Sequence, residues 1–188
     1  MRIKGTGWHS VKKFIKESYS TAEVETLRSA LDEDLRGFFD SKTILAISWV
    51  EYTMYMRFLL KADKVLGNGD FEVIKQANYY AARHDINGVY KIVVSLLSPK
   101  TAISAFSRLM IRYHDRGKLT IKNLESDRAT IVLEDASDIP RHHDIDQGAY
   151  IEEVLRMAGA SNIRWSHPKC MAKGDDCCLG EISWINKN

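Results

Sequence analysis

Residues 167–184 read His167-Pro168-Lys169-Cys170-Met171-Ala172-Lys173-Gly174-Asp175-Asp176-Cys177-Cys178-Leu179-Gly180-Glu181-Ile182-Ser183-Trp184, and they hold all three cysteines of the chain. The turn Lys173-Gly174-Asp175 needs a residue that tolerates positive φ, and Gly174 supplies it. Cys170 and Cys178 stand four residues to either side of that glycine. A hairpin folded about Gly174 therefore sets them opposite each other on antiparallel strands, with Cβ atoms about 5 Å apart. Strands are predicted over Asn162 to Cys170 and Cys177 to Trp184.

Upstream, Gly148 to Ala158 carries Tyr150, Ile151, Val154, Leu155 and Met157 at helical spacing, with Gly159 as its C-cap. Before it lies a polar link, 134–147, containing Pro140 and the pair His142-His143. Lys118 to Asn123 alternates, Ala129 to Leu133 is β-branched and apolar, and Glu125 to Arg128 turns between them. The C-terminal third thus reads strand-strand-helix-strand-strand.

Everything before Gly117 reads as helix. Ser20 and Glu23 form a capping box ahead of Val24, Leu27, Leu31 and Leu35. A long helix is predicted from Lys42 or Thr43 to Leu66, stopped by Gly67-Asn68-Gly69. Asp70 caps the next, a helix spans Ile86 to Leu97, and Ser98-Pro99 opens another ending at Gly117. The predicted architecture is α+β: one domain, 1–188, with a helical layer (8–117) packed on an antiparallel four-stranded sheet (118–188).

Bulk properties exclude several classes. The 27 basic and 25 acidic residues are interspersed, so no nucleic-acid stripe is present. No apolar run approaches a membrane span of about 20 residues. An odd number of cysteines and an N-terminus without a signal-like apolar region predict reduced thiols and a cytoplasmic address. Nucleophile-elbow, phosphate-loop and dinucleotide motifs are absent, and the adjacent acidic pairs Glu152-Glu153 and Asp175-Asp176 do not converge, so no enzyme is expected.

The spacing Cys170-x3-Gly174-x3-Cys178, ending in alternating residues and an aromatic, resembles the C-terminal hairpin of the 4-vinyl reductase domain. That superfamily includes bacterial small-molecule sensor domains and the TRAPP vesicle-tethering subunits. Lys4-Gly5, Trp49-x2-Tyr52, Gly67-Asn68-Gly69-Asp70 and Ser98-Pro99 are similar to a group of bacterial haem-NO-binding-associated proteins. The resemblance implies a binding module, often dimeric, with an apolar cavity between helices and sheet. In metal-binding members the hairpin reads Glu-x2-Cys-x3-Gly-x3-Cys with a further upstream cysteine. Here His167 stands in place of the Glu and the upstream cysteine is missing.

These readings define the candidates. For a metal, thiolate and imidazole suit zinc, with Cys170, Cys178 and His167 as ligands and His142 or His143, or else Asp144 or Asp146, as the fourth. In a regular strand His167 and Cys170 point to opposite faces, so both ligate only if Pro168 breaks the pleat. Packing of two small soft side chains is the competing reading. For a ligand pocket, the candidates are Trp49, Tyr52, Met56, Phe106, Met110, Tyr113 and Trp165. The ligand expected there is a small hydrophobic or aromatic molecule or a lipid. A haem would need a histidine projecting into an apolar slot; His84 and His114 sit among charged neighbours and read as surface residues, so no haem is expected. The predicted function is a non-catalytic small-molecule-binding sensor module, a homodimer signalling through a partner protein. The alternative is a dimeric structural or assembly subunit, which predicts an apolar helical face and no cavity.

Overall fold

The computed structural model describes residues 1–86, 89–136 and 138–186. Strand β1 (Arg2–Lys4) leads into helices α1 (Gly5–Ser18), α2 (Thr21–Ala30) and α3 (Glu33–Asp40). Strand β2 (Trp49–Glu51) follows, then α4 (Tyr52–Leu66), α5 (Glu72–Asp85), α6 (Val89–Leu96) and α7 (Pro99–Tyr113). The C-terminal part runs β3 (Lys118–Lys122), β4 (Arg128–Glu134), α8 (His143–Met157), β5 (Ala160–Lys169), a 3-10 turn at Met171–Lys173, and β6 (Cys178–Asn186). No helix among the described residues is long and apolar enough to cross a membrane.

The four-stranded sheet is antiparallel with order β3-β4-β6-β5, as the strand-strand-helix-strand-strand pattern predicts. Trp165 on β5 shows how the helix seats on it. Its ring fills the space above two glycines: a Cβ on Gly180 of β6 would come within 2.3 Å of Trp165 Cη2, and one on Gly148 of α8 within 2.8 Å of its Nε1. Both positions have to lack a side chain for the indole to pass between helix and strand.

The helical layer is held by an aromatic cluster. Trp8 of α1 meets Phe38 of α3 at 4.0 Å and Phe58 of α4 edge-on at 4.8 Å, and Phe39 stacks on Phe58 at 5.4 Å. Such pairs add to burial about 0.5–1.5 kcal/mol each. The Ser20–Glu23 capping box forms as read.

Three elements differ from the reading. The expected helix from residue 42 begins only at Tyr52. Trp49–Glu51 instead pairs with Arg2–Lys4 as a short ladder, which satisfies backbone groups that a helix would have used internally. The helix through Leu35 breaks at Leu31, whose extended φ/ψ of −72°/139° caps α2, and α3 starts anew at Glu33. The start of α5 is fixed from α4: the buried Asp63 accepts the backbone N–H groups of Phe71 and Val73, each at 2.9 Å. Asp70 accepts only from Glu72 N–H, at 3.1 Å.

Candidate functional site

Two side-chain clusters are built where the helical layer meets the sheet. The first lies at the hairpin. Helix α8 starts at His143, five residues earlier than the sequence reading, with His142 in the left-handed region (φ 65°) as its first flanking residue. That early start brings His143 onto the helix and buries it at 1% exposure. The pairing of β5 with β6 shifts register between Ser166 and Lys169, around Pro168, and this irregularity carries His167 to the same side as Cys170. Ligand atoms of His143, His167, Cys170 and Cys178 then all lie within 4.8 Å of one another. A tetrahedral zinc site, with Zn–S near 2.3 Å and Zn–N near 2.0 Å, has its ligand atoms roughly 3.3–3.8 Å apart. Closure by about an ångström completes the geometry.

The protonation pattern favours ligation by His143. Its Nδ1 lies 2.9 Å from the Pro140 carbonyl, which can only accept, so Nδ1 carries the proton and Nε2 holds the lone pair. Among the described residues Nε2 has no hydrogen-bond partner. Burial pulls the His143 pKa down to about 4, keeping the ring neutral. The rings of His143 and His167 sit edge to face at 5.1 Å, with Asp144 Oδ2 3.6 Å from His167 Nδ1. Cys178 Sγ accepts the Met171 N–H at 3.3 Å, and burial pushes its thiol up to about 12. A metal must displace that proton to bind. Of the five cysteines and histidines proposed from sequence, four converge. His142 stands apart, its ring 4.9 Å from Phe71, and Cys177 is outside the cluster.

The second cluster lines a half-open cavity of about 100 Å³ in the helical layer. Its walls include Ile3 and Gly7, Tyr55 of α4, Asp85 of α5, Phe106 and Tyr113 of α7, and Asp146, Gln147 and Tyr150 of α8. His114, just beyond α7, also lines it and bridges to Ile3 of β1. Tyr52 donates its hydroxyl to Asp146 Oδ2 at 2.6 Å from behind the wall, and burial raises the pKa of Asp146.

Of the seven pocket candidates, Phe106 and Tyr113 line this cavity. Tyr52 and Met56 are core residues at 0% and 1% exposure. Trp165 is wedged between Gly148 and Gly180, and the side chain of Met110 lies outside the described residues. Trp49 is 38% exposed, with Lys4 Nζ 3.8 Å above its ring. The sequence reading missed Tyr55, Asp85, Asp146, Gln147 and Tyr150 as wall residues. The helical period of α8, extended back to Asp146, places 146 and 150 on one face and would have found two of them.

No family model matches the sequence, and no curated protein does. Solved structures do match in fold. A single-substitution mutant of the H-NOX protein from K. algicida, Fe(II) unliganded, superposes with a TM-score of 0.70 at 8% identity, covering 98% of each chain. A triple mutant of an H-NOX protein from S. oneidensis in the Fe(II) ligation state gives 0.70 at 13% identity over 99% of this chain and 98% of that one. The H-NOX from Shewanella woodyi in the Fe(II)CO state gives 0.68 at 11% identity over 96% and 94%.

The resemblance drawn from sequence divides accordingly. Its haem-NO-binding part agrees with these neighbours, and its vinyl-reductase and TRAPP part is not what they show. The expectation of no haem is overturned by the same finding, because these neighbours are haem-binding proteins. Its premise fails as well: His114 is not a surface residue but part of the cavity wall, its Nδ1 buried. As it stands the cavity does not fit a porphyrin. Its volume is about that of three waters, at about 30 Å³ each, so a macrocycle reaching His114 would need α7 and α8 to part. Over nearly its whole length, this chain has the H-NOX fold.

Proposed function

We propose that this chain is a non-catalytic small-molecule-sensing module, with the central cavity as its ligand site and a partner protein as its output. The observation that carries this reading is a half-open cavity lined by β1, α1, α4, α5, α7 and α8, in a fold whose solved neighbours are ligand-state H-NOX proteins. The assembly-subunit alternative calls for no cavity. A ligand that binds only the folded state stabilises it by RT ln(1 + [L]/Kd). The test is native mass spectrometry of the chain as purified, combined with an absorption spectrum after haemin is added. A co-purified small molecule, or a Soret band lost in His114→Ala, supports the reading. A bare chain that no small molecule or haemin stabilises overturns it.

We propose also that His143, His167, Cys170 and Cys178 hold one zinc ion that fastens α8 to the terminal hairpin. The support is the convergence of two thiols and two imidazoles from three separate segments, with the His143 tautomer set by Pro140. Metal analysis is expected to find one zinc per chain, lost in Cys178→Ser and His143→Ala and kept in Cys177→Ser. Equal and small stability losses for Cys170→Ser and Cys178→Ser, without a change in metal content, would count against it.

A further inference from the structure

We infer that the central cavity binds a small primary ammonium ion carrying an oxygen acceptor, with Asp146 as its counter-ion. The inference rests on the sensor reading of the same cavity and names its ligand class. Asp146 is 8% exposed; Oδ2 is taken by the Tyr52 hydroxyl at 2.6 Å. Its Oδ1 is buried and, among the described residues, accepts no hydrogen bond of ordinary geometry, although the Asn78 amide and the Tyr55 hydroxyl lie close enough to offset part of the rise that burial gives its pKa. The next residue, Gln147, lines the same space with a buried Nε2 that is likewise without a partner. The cavity thus sets a carboxylate oxygen and an amide donor side by side, each with its hydrogen bonding incomplete.

The remaining wall fits a cation. Tyr55, Phe106 and Tyr150 present rings, which attract cations through their faces. Asp85 adds a second carboxylate, its Oδ1 accepting from the Ser10 hydroxyl at 2.8 Å. The ion pairs of the described residues give Asp146 no lysine or arginine, and Asp85 only His84, at 3.7 Å. Lys4 borders the cavity but sends its Nζ outward, to the Ile47 carbonyl at 3.3 Å. An anionic ligand would meet two carboxylates, with Lys4 turned to the Ile47 carbonyl and the His114 imidazole as the other basic group of the lining. A purely apolar one would leave Asp146 Oδ1 and Gln147 Nε2 unsatisfied, at a cost of about 1–3 kcal/mol each. An ammonium donates to Asp146 through a charge-assisted bond, while an oxygen a few atoms away accepts from Gln147. With about 100 Å³ available, the ligand is a molecule of a few heavy atoms.

The test compares three isosteres by NMR titration of the full chain: ethanolamine, neutral ethylene glycol and anionic glycolate. Ethanolamine is expected to bind saturably, shifting the amides of Tyr55, Asp146 and Gln147, with the glycol about tenfold weaker or more and glycolate silent. Asp146→Asn, which keeps an oxygen for Tyr52, is expected to weaken ethanolamine by about tenfold and leave the glycol unchanged. Equal affinity for ethanolamine and glycol, or an Asp146→Asn chain that binds ethanolamine as before, overturns the charge assignment while leaving the cavity as a ligand site. A different class of co-purified molecule, or haemin bound through His114, does the same. If neither the isosteres, haemin nor a co-purified molecule is found, this inference and the sensor reading fall together. Should the variant not fold, the contrast between ethanolamine and glycol on the wild type decides.

Discussion

Asp146 is held at a cost to the fold. Burial raises its pKa above the usual carboxylate value, so the folded chain holds the proton to higher pH than the unfolded chain does. For a raised acid, stability is full below the unfolded value, about 3.9, and falls as pH climbs through the folded one. Asp146→Asn is therefore expected to raise stability at neutral pH and to flatten its decline above pH ~4, read from denaturant midpoints across that range. A variant less stable than wild type at neutral pH would mean that the bond from Tyr52 outweighs the buried charge. From sequence Asp146 reads only as a fallback metal ligand and not as cavity wall, because α8 lacks a start signal: His142 makes no side-chain cap, and the polar run before Gly148 looks like loop. Trp49 misleads in the opposite sense. Its aromatic bulk reads as core, yet its place on a three-residue strand leaves it 38% exposed, so Trp49→Ala is expected to cost far less than the 3–5 kcal/mol of a buried tryptophan.

At the level of elements, the terminal hairpin was readable because its turn chemistry and its two cysteines fix a register by themselves. The β1–β2 ladder was not, since three residues on each side carry no period and their pairing spans about a quarter of the chain. The irregularity at Pro168 lay between these cases: proline announced a broken pleat, and only the register shift showed to which face His167 turned. Trp165 makes the packing of α8 on the sheet sensitive to single methyl groups. Gly180→Ala drives a Cβ to 2.3 Å from the ring, and a cost of about 1–3 kcal/mol is expected from overpacking, measured by equilibrium unfolding. Ser20→Ala, which removes one half of the α2 capping box, is expected to cost about 1 kcal/mol.

Across the whole molecule, a metal at the hairpin would link the start of α8 to both strands of the terminal hairpin, at the end of β5 and the start of β6. Chelation is expected to lower the melting temperature by several degrees and to do nothing to Cys178→Ser, as scanning calorimetry can check; an unchanged wild type would reduce the cluster to packing. The fold class and order of elements were open to reading because each rests on local periodicity, whereas the cavity was not, because its wall is assembled from six elements. Helix α8 ties these observations together. It presents His143 to the thiols and, three residues or about 4.5 Å of rise later, Asp146 to the cavity. The two places share one rigid rod, so neither keeps a private equilibrium. With both proposed sites filled, whatever factor an occupant of the cavity imposed on the metal's affinity through that rod, the metal would return in equal measure, and a single helix would weigh two inputs.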